Sequence, residues 1–309
     1  MAEAFGDITQ HAVDQWSDLS QLRAQQLTVK LSDAALEEDA IGRAHYFDQV
    51  GKTEMTEDNT RHAPSPHNEV EHFRRKTVPR KFHWGHNIDP FDRVQMLNNP
   101  AGKYVLASSG AYARTHDSIH INALGGSAIA EDADGNTTTI TLPTTQKVGI
   151  QVGGSGDVNL NEHKVREALG ILTSNEVDID LPENKLYGVI PGLGFYRGLM
   201  SQDKFVSSDY KINKPLDGSQ QMTFDWMGVT WIVTERVPFD SGSTTDRKCY
   251  VWAKSGLGRA KWSGVVHQSA KRADLSFDDY LYMRAYLNCV RLEEEKVVEI
   301  MIDQTASAT

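Results

Sequence analysis

The sequence predicts an α+β fold, and three observations carry that prediction. The composition is globular, since 39% of the 309 residues are hydrophobic and 24% are charged, which is typical of a chain with a buried core. A helical pattern of about 24 residues runs to Leu124 and ends at Gly125-Gly126. The chain closes with two strand patterns, Tyr280–Leu292 and the unusually apolar Lys296–Ile302.

Composition and charge argue against several classes of protein. No run approaches the roughly 20 apolar residues of a spanning helix, so no membrane partner is expected. The first residues lack the basic and apolar regions of a secretory signal. Two cysteines, Cys249 and Cys289, are too few for a disulfide framework and are expected to be small core residues in a reducing compartment. The net charge of −10 argues against a protein that coats itself in nucleic acid.

The first 88 residues divide by charge. Residues 1–60 carry 12 acidic and 4 basic side chains, whereas residues 61–86 carry 6 basic and 2 acidic ones. Residues 1–45 have too few apolar positions for a core of their own and are predicted to form an extended arm with short helical pieces. Residues 46–88 are predicted to form a long two-stranded ribbon, which is only marginally stable alone and must rest on something else.

A firmer helical region begins at Asp89, which can cap a helix that has Pro90 at its first position. After an interruption at 98–100, a long helix is predicted over 101–124. Its apolar face is predicted to contain Tyr104, Ala107, Ala111, Thr115 and Ile119. A hairpin is predicted next, with strands at 127–131 and 137–142 and a turn at Asp134-Gly135.

Residues 146–260 are predicted to be α/β, with helices and strands intermixed. The helices are predicted at 160–176 and 195–200. The strands are predicted at 186–190, 222–237 and 249–260, with a loop at 239–246.

No motif makes a convincing active site. Gly51-Lys52-Thr53 ends like a phosphate-binding loop, but Tyr46 stands where that loop needs its first glycine. No G-x-S-x-G elbow is present. The segment 62–86 is rich in histidine, but its spacing fits no compact zinc site. The histidines concerned are His62, His67, His72, His83 and His86.

A second histidine pair, His116 and His120, lies on one face of the predicted long helix. Two imidazoles at this spacing can share a metal ion. Without a third ligand nearby, a surface or interface pair is the preferred interpretation, so no metal or cofactor is expected.

Six stretches stand out along the chain. They are Tyr46–Gly51, Arg61–Ala63, Phe73–Val78, Asp89–Leu97, Cys249–Gly258 and Arg291–Ile300. Taken in order, these stretches resemble recurrent stretches of a family of phage capsid proteins with the HK97-type fold. The similarity runs from about residue 40 to 303, and its specificity lies in the number and order of the stretches.

The resemblance implies a division of the chain into parts. Residues 1–45 would be the N-terminal arm, and residues 46–88 the E-loop hairpin lying across a neighbouring subunit. Residues 89–145 would form the peripheral domain with its spine helix. Residues 146–260 would form the axial domain, and residues 261–309 would return to the peripheral sheet and end in a C-terminal tail.

The implied function is that of a major capsid protein, not an enzyme, which self-assembles into the icosahedral head around double-stranded phage DNA. Its partners would be other copies of itself in hexamers and pentamers, and packaged DNA bound without sequence specificity. Scaffolding, portal and decoration or cement proteins are compatible further partners. The protein would be located in the virion shell, and in the host cytoplasm during assembly.

Opposite charges on adjacent segments favour pairing within a chain or between copies, although a solvated charged loop explains the same pattern. The predicted inter-subunit contacts are Arg74, Arg75, Lys76, Arg80 and Lys81 on the ribbon, and Glu293, Glu294 and Glu295, with Glu37, Glu38 and Asp39 as further acids. Two other functions remain open. They are a metal-dependent hydrolase using segment 62–86, and a minor virion or DNA-binding structural protein using the basic ribbon.

Overall fold

The computed structural model describes residues 23–55, 57, 59, 61, 65, 67–89, 91, 101–132, 135–202, 205, 223–275 and 277–307. Its helices are α1 (Ala101–Gly125) and α2 (Glu162–Ser174). The strands are β1 (Leu36–Asp39), β2 (His45–Val50), β3 (His72–Thr77), β4 (Arg80–Ile88), β5 (Ala128–Glu131), β6 (Thr137–Ile140), β7 (Lys147–Val148), β8 (Leu186–Ile190), β9 (Thr223–Trp226), β10 (Val229–Val233), β11 (Asp246–Ala253), β12 (Leu257–Arg272), β13 (Asp278–Arg291) and β14 (Val297–Asp303). Among these described elements, no helix is long and apolar enough to cross a membrane.

The main core lies around a mixed six-stranded sheet in the order β7-β14-β11-β8-β10-β9. Its inner strands read as nearly continuous apolar runs because both faces are covered. Trp231 and Trp252 are fully buried. Helix α2 packs along β14 and β7, and its N-terminus is capped by Asn161, whose side chain accepts a hydrogen bond from the Lys164 amide.

A second sheet, the long sheet, has the order β1-β12-β13-β4, and α1 covers one of its faces. Along β13, Met283, Ala285 and Leu287 are buried and alternate with half-exposed residues. This period of two places one row of side chains against α1 and the other row away from it. The third sheet, the ribbon sheet, has the order β2-β3-β5-β6.

Several sequence predictions are confirmed by these elements. The long helix, the 128–140 hairpin, the helix at 162–174 and both closing strands lie within a few residues of their predicted bounds. The short helix predicted at 195–200 appears as two helical turns, Gly194–Gly198 and Leu199–Ser201. Both cysteines are buried, as predicted, and burial raises the pKa of each thiol to about 12.

Other predictions are corrected. The strand expected over 249–260 is broken by a 3-10 turn at Lys254–Gly256, and the strand expected over 222–237 divides into β9 and β10. Within residues 23–45 the regular element is the strand β1, not a helical piece, and it pairs in parallel with β12. Most of the helix expected after Asp89 lies outside the described residues, although Asp89 does accept a hydrogen bond from the Phe91 amide, at 2.7 Å.

The two-stranded ribbon is also corrected. Strand β2 pairs antiparallel with β3 over His45–Val50, but the return strand is divided at Val78-Pro79. Its second part, β4, pairs instead with β13 in the long sheet. Proline has no backbone N–H for a sheet ladder, so a break at this position follows from the sequence.

Two glycines provide a matched test of this packing. In Gly188→Ala the new methyl group would lie 2.7 Å from the ring of Trp231 in the main core, so we expect a loss of about 1–3 kcal/mol in the free energy of unfolding. Gly170 lies within α2 with open space around it, so Gly170→Ala should stabilise by about 0.5–1 kcal/mol. Urea denaturation of the unassembled subunit measures both, and equal effects would contradict the packing at Gly188.

Candidate inter-subunit contact site

The ribbon is anchored to the rest of the subunit by Phe47. This ring is buried in a small core with Ala128, Val290 and Leu292. It lies so close to Gly258 that a Cβ atom there would be 2.9 Å from it. The base of the ribbon is therefore fixed, and its opposite end, at residues 52–71, is exposed wherever it is described.

Arg75 faces inward from β3 and is buried. Its Nε donates to the carbonyl of Leu292 at 2.8 Å, and its Nη2 donates to Glu294 Oε2 at 2.6 Å. The other carboxylate oxygen of Glu294 accepts from Nε of the fully buried Arg291 at 3.2 Å. Arg75 and Glu294, both predicted to bind a neighbouring copy, therefore satisfy each other within one chain.

Arg74 and Lys76 lie on the outward face of β3, and each places its charged group over the Tyr46 ring. Arg74 Nε donates to Asp48 at 2.6 Å, and this hydrogen bond lowers the pKa of Asp48. Lys76 donates to Glu131 at 2.6 Å, which raises the pKa of the lysine. These two cations also have partners in their own subunit, so they are less available to a neighbour than the sequence suggested.

Arg80 and Lys81 are exposed, and neither forms an ion pair with a described residue. Strand geometry places them on opposite faces of β4. Arg80 lies over the Phe82 ring, on the side of α1, and Lys81 stands opposite Tyr286 on the other face.

Glu293 and Glu295 lie in the turn between β13 and β14. Glu293 accepts from Lys296 at 2.8 Å, and Glu295 is exposed. Of the further acids named from the sequence, Glu37 pairs with Arg259 and Glu38 with His45. The inter-subunit role stays a prediction, and Arg80, Lys81 and Glu295 are the members best placed to fulfil it.

The His116 and His120 pair is buried, so the expectation of a surface or interface pair is wrong. The centroids of the two rings lie 4.3 Å apart, and both rings are buried between α1 and the long sheet. Nη1 of Arg259 faces both Nε2 atoms, at 3.0 and 3.1 Å. A guanidinium thus occupies the space where a shared metal ion would bind.

The sequence reasoning missed Arg259 as the centre of this cluster. Its Nη2 donates to the Ser32 carbonyl at 2.8 Å and contacts the Glu37 carboxylate. The neighbouring Asp117 is fully buried and accepts hydrogen bonds from the amides of Lys30 and Leu31. The cluster therefore holds residues 30–37 of the arm against α1 and β12.

The histidine-rich segment does not assemble a metal site in the part of the chain that is described. Among those residues no three potential ligands lie together. His86 contacts the Tyr104 ring at 4.5 Å, and His62 lies outside the described residues.

Comparison with known proteins gives one matching family model, described as phage capsid protein, over residues 8–304. Three solved structures share the fold at low sequence identity. The capsid of Ralstonia phage GP4 has a TM-score of 0.71 and 10% identity, covering 98% of both chains. The cyanophage Pam1 capsid has a TM-score of 0.71 and 12% identity, covering 98% of this chain and 99% of that one. The cyanophage P-SCSP1u capsid has a TM-score of 0.69 and 14% identity, covering 95% and 93%. No curated protein sequence matches significantly.

Proposed function

The chain belongs to the phage capsid protein family, and we propose that its copies assemble as hexamers and pentamers into an icosahedral head around double-stranded DNA. The observation that carries this proposal is the family match over 297 of 309 residues, together with an HK97-type fold shared along nearly the whole chain. Neither comparison supports the metal-dependent hydrolase.

The division into arm, E-loop, peripheral domain and axial domain is part of the same proposal. The long sheet with α1 would be the core of the peripheral domain, and the six-stranded sheet with α2 that of the axial domain. Since β14 belongs to the six-stranded sheet, the return to the peripheral sheet would consist of β12 and β13 alone.

The proposal that the ribbon lies across a neighbour is supported by its exposed apolar side chains. Val50 is 70% exposed, Met55 fully exposed and Phe73 52% exposed. These side chains lie on the ribbon and its exposed end, where they are open to the described part of the chain and where a neighbouring copy laid across the ribbon would bury them.

Lys81 provides a test of the electrostatic part of the interface, with the carboxylates of Glu293 and Glu295 as its proposed partners on a neighbouring copy. We expect Lys81→Glu to leave subunit stability unchanged and to lower the yield of shells severalfold. Each exposed pair is worth only about 0.2–1 kcal/mol, but the reversed charge recurs at every copy. Arg43→Glu, at another exposed arginine, is the control.

Adding Glu295→Lys to Lys81→Glu should restore assembly if these two residues face each other across the interface. Light scattering and electron microscopy measure the yield. Normal shells from Lys81→Glu would contradict the assignment.

The direct test of the function is negative-stain electron microscopy of the purified protein, with size-exclusion chromatography alongside. Closed shells, tubes or ring-shaped capsomers are expected. A monomer in all conditions, including coexpression with the scaffolding, portal and decoration proteins proposed as partners, would overturn the proposal. Assembly in the host cytoplasm is part of it and is tested by imaging cells that express the chain.

A further inference from the structure

Three arginines from separate elements line one open pocket beside α1. Arg80 begins β4, Arg114 lies on α1, and Arg236 follows β10. The pocket has a volume of about 420 Å³, and no described Asp or Glu lines it. Positive charge is therefore concentrated at one site of a chain whose net charge is −10.

The guanidinium groups are positioned but not neutralised by described residues. Arg114 Nη1 donates to the side-chain oxygen of Gln25 at 2.9 Å and to the carbonyl of Gln26 at 3.1 Å, both uncharged acceptors. Arg80 and Arg236 are exposed, and neither forms an ion pair within the described chain.

The acid nearest to Arg236 in sequence is already bound elsewhere. Glu235 accepts hydrogen bonds from Arg247 Nη2 at 3.0 Å and from the Gly192 amide at 2.7 Å. No acid in the described part of the chain neutralises the pocket, so its positive charge is available to an external anion.

We propose that this pocket binds a phosphate group of the nucleic-acid backbone, an inference that rests on the proposed role of the shell as a DNA container. Guanidinium groups form paired hydrogen bonds with phosphate oxygens. Asn122 also lines the pocket, and a side-chain amide is a common donor to phosphate. The hydroxyls of Thr115 and Ser118, which line it too, already donate to the carbonyls of Ala111 and Arg114. Contacts of this kind carry no sequence information, which suits DNA of any sequence.

The pocket is local, and this fits the net charge of the subunit. One phosphate site per copy, repeated over a shell, would hold the outer layer of DNA by many weak contacts. The negative charge elsewhere would keep the DNA from adhering along the whole wall.

The experiment measures the binding of a labelled duplex of about 20 base pairs to the full-length protein by fluorescence anisotropy, across a salt series. We expect affinity to fall with salt, and Arg236→Gln to reduce the slope of log K against log salt by about 1. Arg114→Gln together with Arg236→Gln should weaken binding at least tenfold. Arg43→Gln, an exposed arginine outside the pocket, should change neither quantity.

Arg236 is exposed in a loop, so its substitution leaves the core intact, and thermal melting verifies this. Inorganic phosphate should displace the duplex from the wild-type protein. Loss of this displacement in Arg236→Gln would support the phosphate site. If phosphate displaces the duplex but Arg236→Gln does not weaken duplex binding, this outcome would overturn nucleic acid as the source of the phosphate group that the pocket binds. A wild-type protein that does not bind the duplex, or equal binding by all variants, would overturn the proposal.

Electron microscopy of the same variants separates this inference from the proposed function. Shells that form normally while DNA binding is lost would support both. Normal shells together with unchanged DNA binding in the variants would overturn the phosphate site but not the proposed capsid function. Loss of shells with DNA affinity retained would instead assign the arginines to an acidic segment of a neighbouring copy, the role predicted for Arg80 from the sequence, and would overturn phosphate binding.

Discussion

Replacing Arg291 by methionine is expected to lower the free energy of unfolding of the subunit by about 3–5 kcal/mol. The side chain is fully buried. Its Nη1 donates to the carbonyls of Leu124 and Gly126, at 2.7 and 2.6 Å, and its Nη2 to that of Ile140 at 3.1 Å. Methionine supplies no donor, so these carbonyls would lose this partner, and burial makes an unpaired polar group costly.

The position of Arg291 explains why the effect is large. It joins the C-terminus of α1, the β5–β6 hairpin and the end of β13. Through Glu294 it also connects to Arg75 at the base of the ribbon. Since the variant weakens three elements at once, we expect assembly to fail together with folding.

Urea denaturation of the unassembled subunit measures the loss. Arg291→Lys should not restore stability, because an ammonium group cannot reproduce the planar fork of donors. Arg166→Met is the matched control, since Arg166 is exposed on α2 and pairs with Glu162 one turn away. That change is expected to cost less than about 0.5 kcal/mol. An Arg291→Met subunit as stable as this control would contradict the assigned role.

The local elements could be predicted because their signals are local. The long helix ends at a pair of glycines, the hairpin has Gly135 at φ +84° in its turn, and the closing strands have strong apolar patterns. The break of the ribbon at Pro79 could also have been predicted, since proline cannot continue a ladder. The sheet that β4 then joins could not have been predicted, because its partner strand β13 lies some 200 residues further along the chain.

The side-chain partners were harder to predict than the elements. The sequence indicated that the basic ribbon would meet the acids at 293–295, and the structure forms one such pair, Arg75 with Glu294, within one subunit. Sequence separation alone does not distinguish a distant part of the same chain from another copy. The identities of the charges were informative, but their location depends on the packing of three sheets.

The buried face of α1 shows the same limit. The apolar pattern predicted that Ala107, Ala111 and Thr115 would face the core, but these residues are only half-buried. The most buried positions include His116, Asp117 and His120. Polar residues can occupy such a face when each finds a partner, and here the partners come from Arg259 and the arm. The helical periodicity of the sequence contains no information about partners that lie so far away in the chain.

Acidification is expected to destabilise the subunit through His120. Burial lowers the pKa of His120 well below its usual value, and the nearby His116 and Arg259 act in the same direction. The folded protein therefore keeps this imidazole neutral at pH values where the unfolded chain, with a pKa of about 6.5, takes up a proton. The stability contributed by the neutral form is present above pH 6.5 and is lost as pH falls below it. Each further pH unit costs about 1.4 kcal/mol until the folded state also binds the proton.

The hydrogen bonds explain why the folded state resists protonation. His120 Nδ1 lies 2.8 Å from the His116 carbonyl, so this nitrogen carries the hydrogen, and Nε2 accepts from Arg259. A second proton would remove that acceptor and place a positive charge against the guanidinium. Glu37 pairs with Arg259 from the arm, and Asp117 lies beside His116.

The measurement compares the wild-type subunit with His120→Gln, which keeps an acceptor for Arg259 but does not titrate. Between pH 7 and pH 5 the wild type should lose more stability than the variant, by up to the roughly 2 kcal/mol that protonation of the unfolded chain alone can supply. His163→Gln, at an exposed histidine on α2, should follow the wild-type curve. Because acidic side chains titrate equally in all three proteins, the difference isolates His120. Parallel curves for the wild type and His120→Gln would show that the buried imidazole is not a source of acid sensitivity.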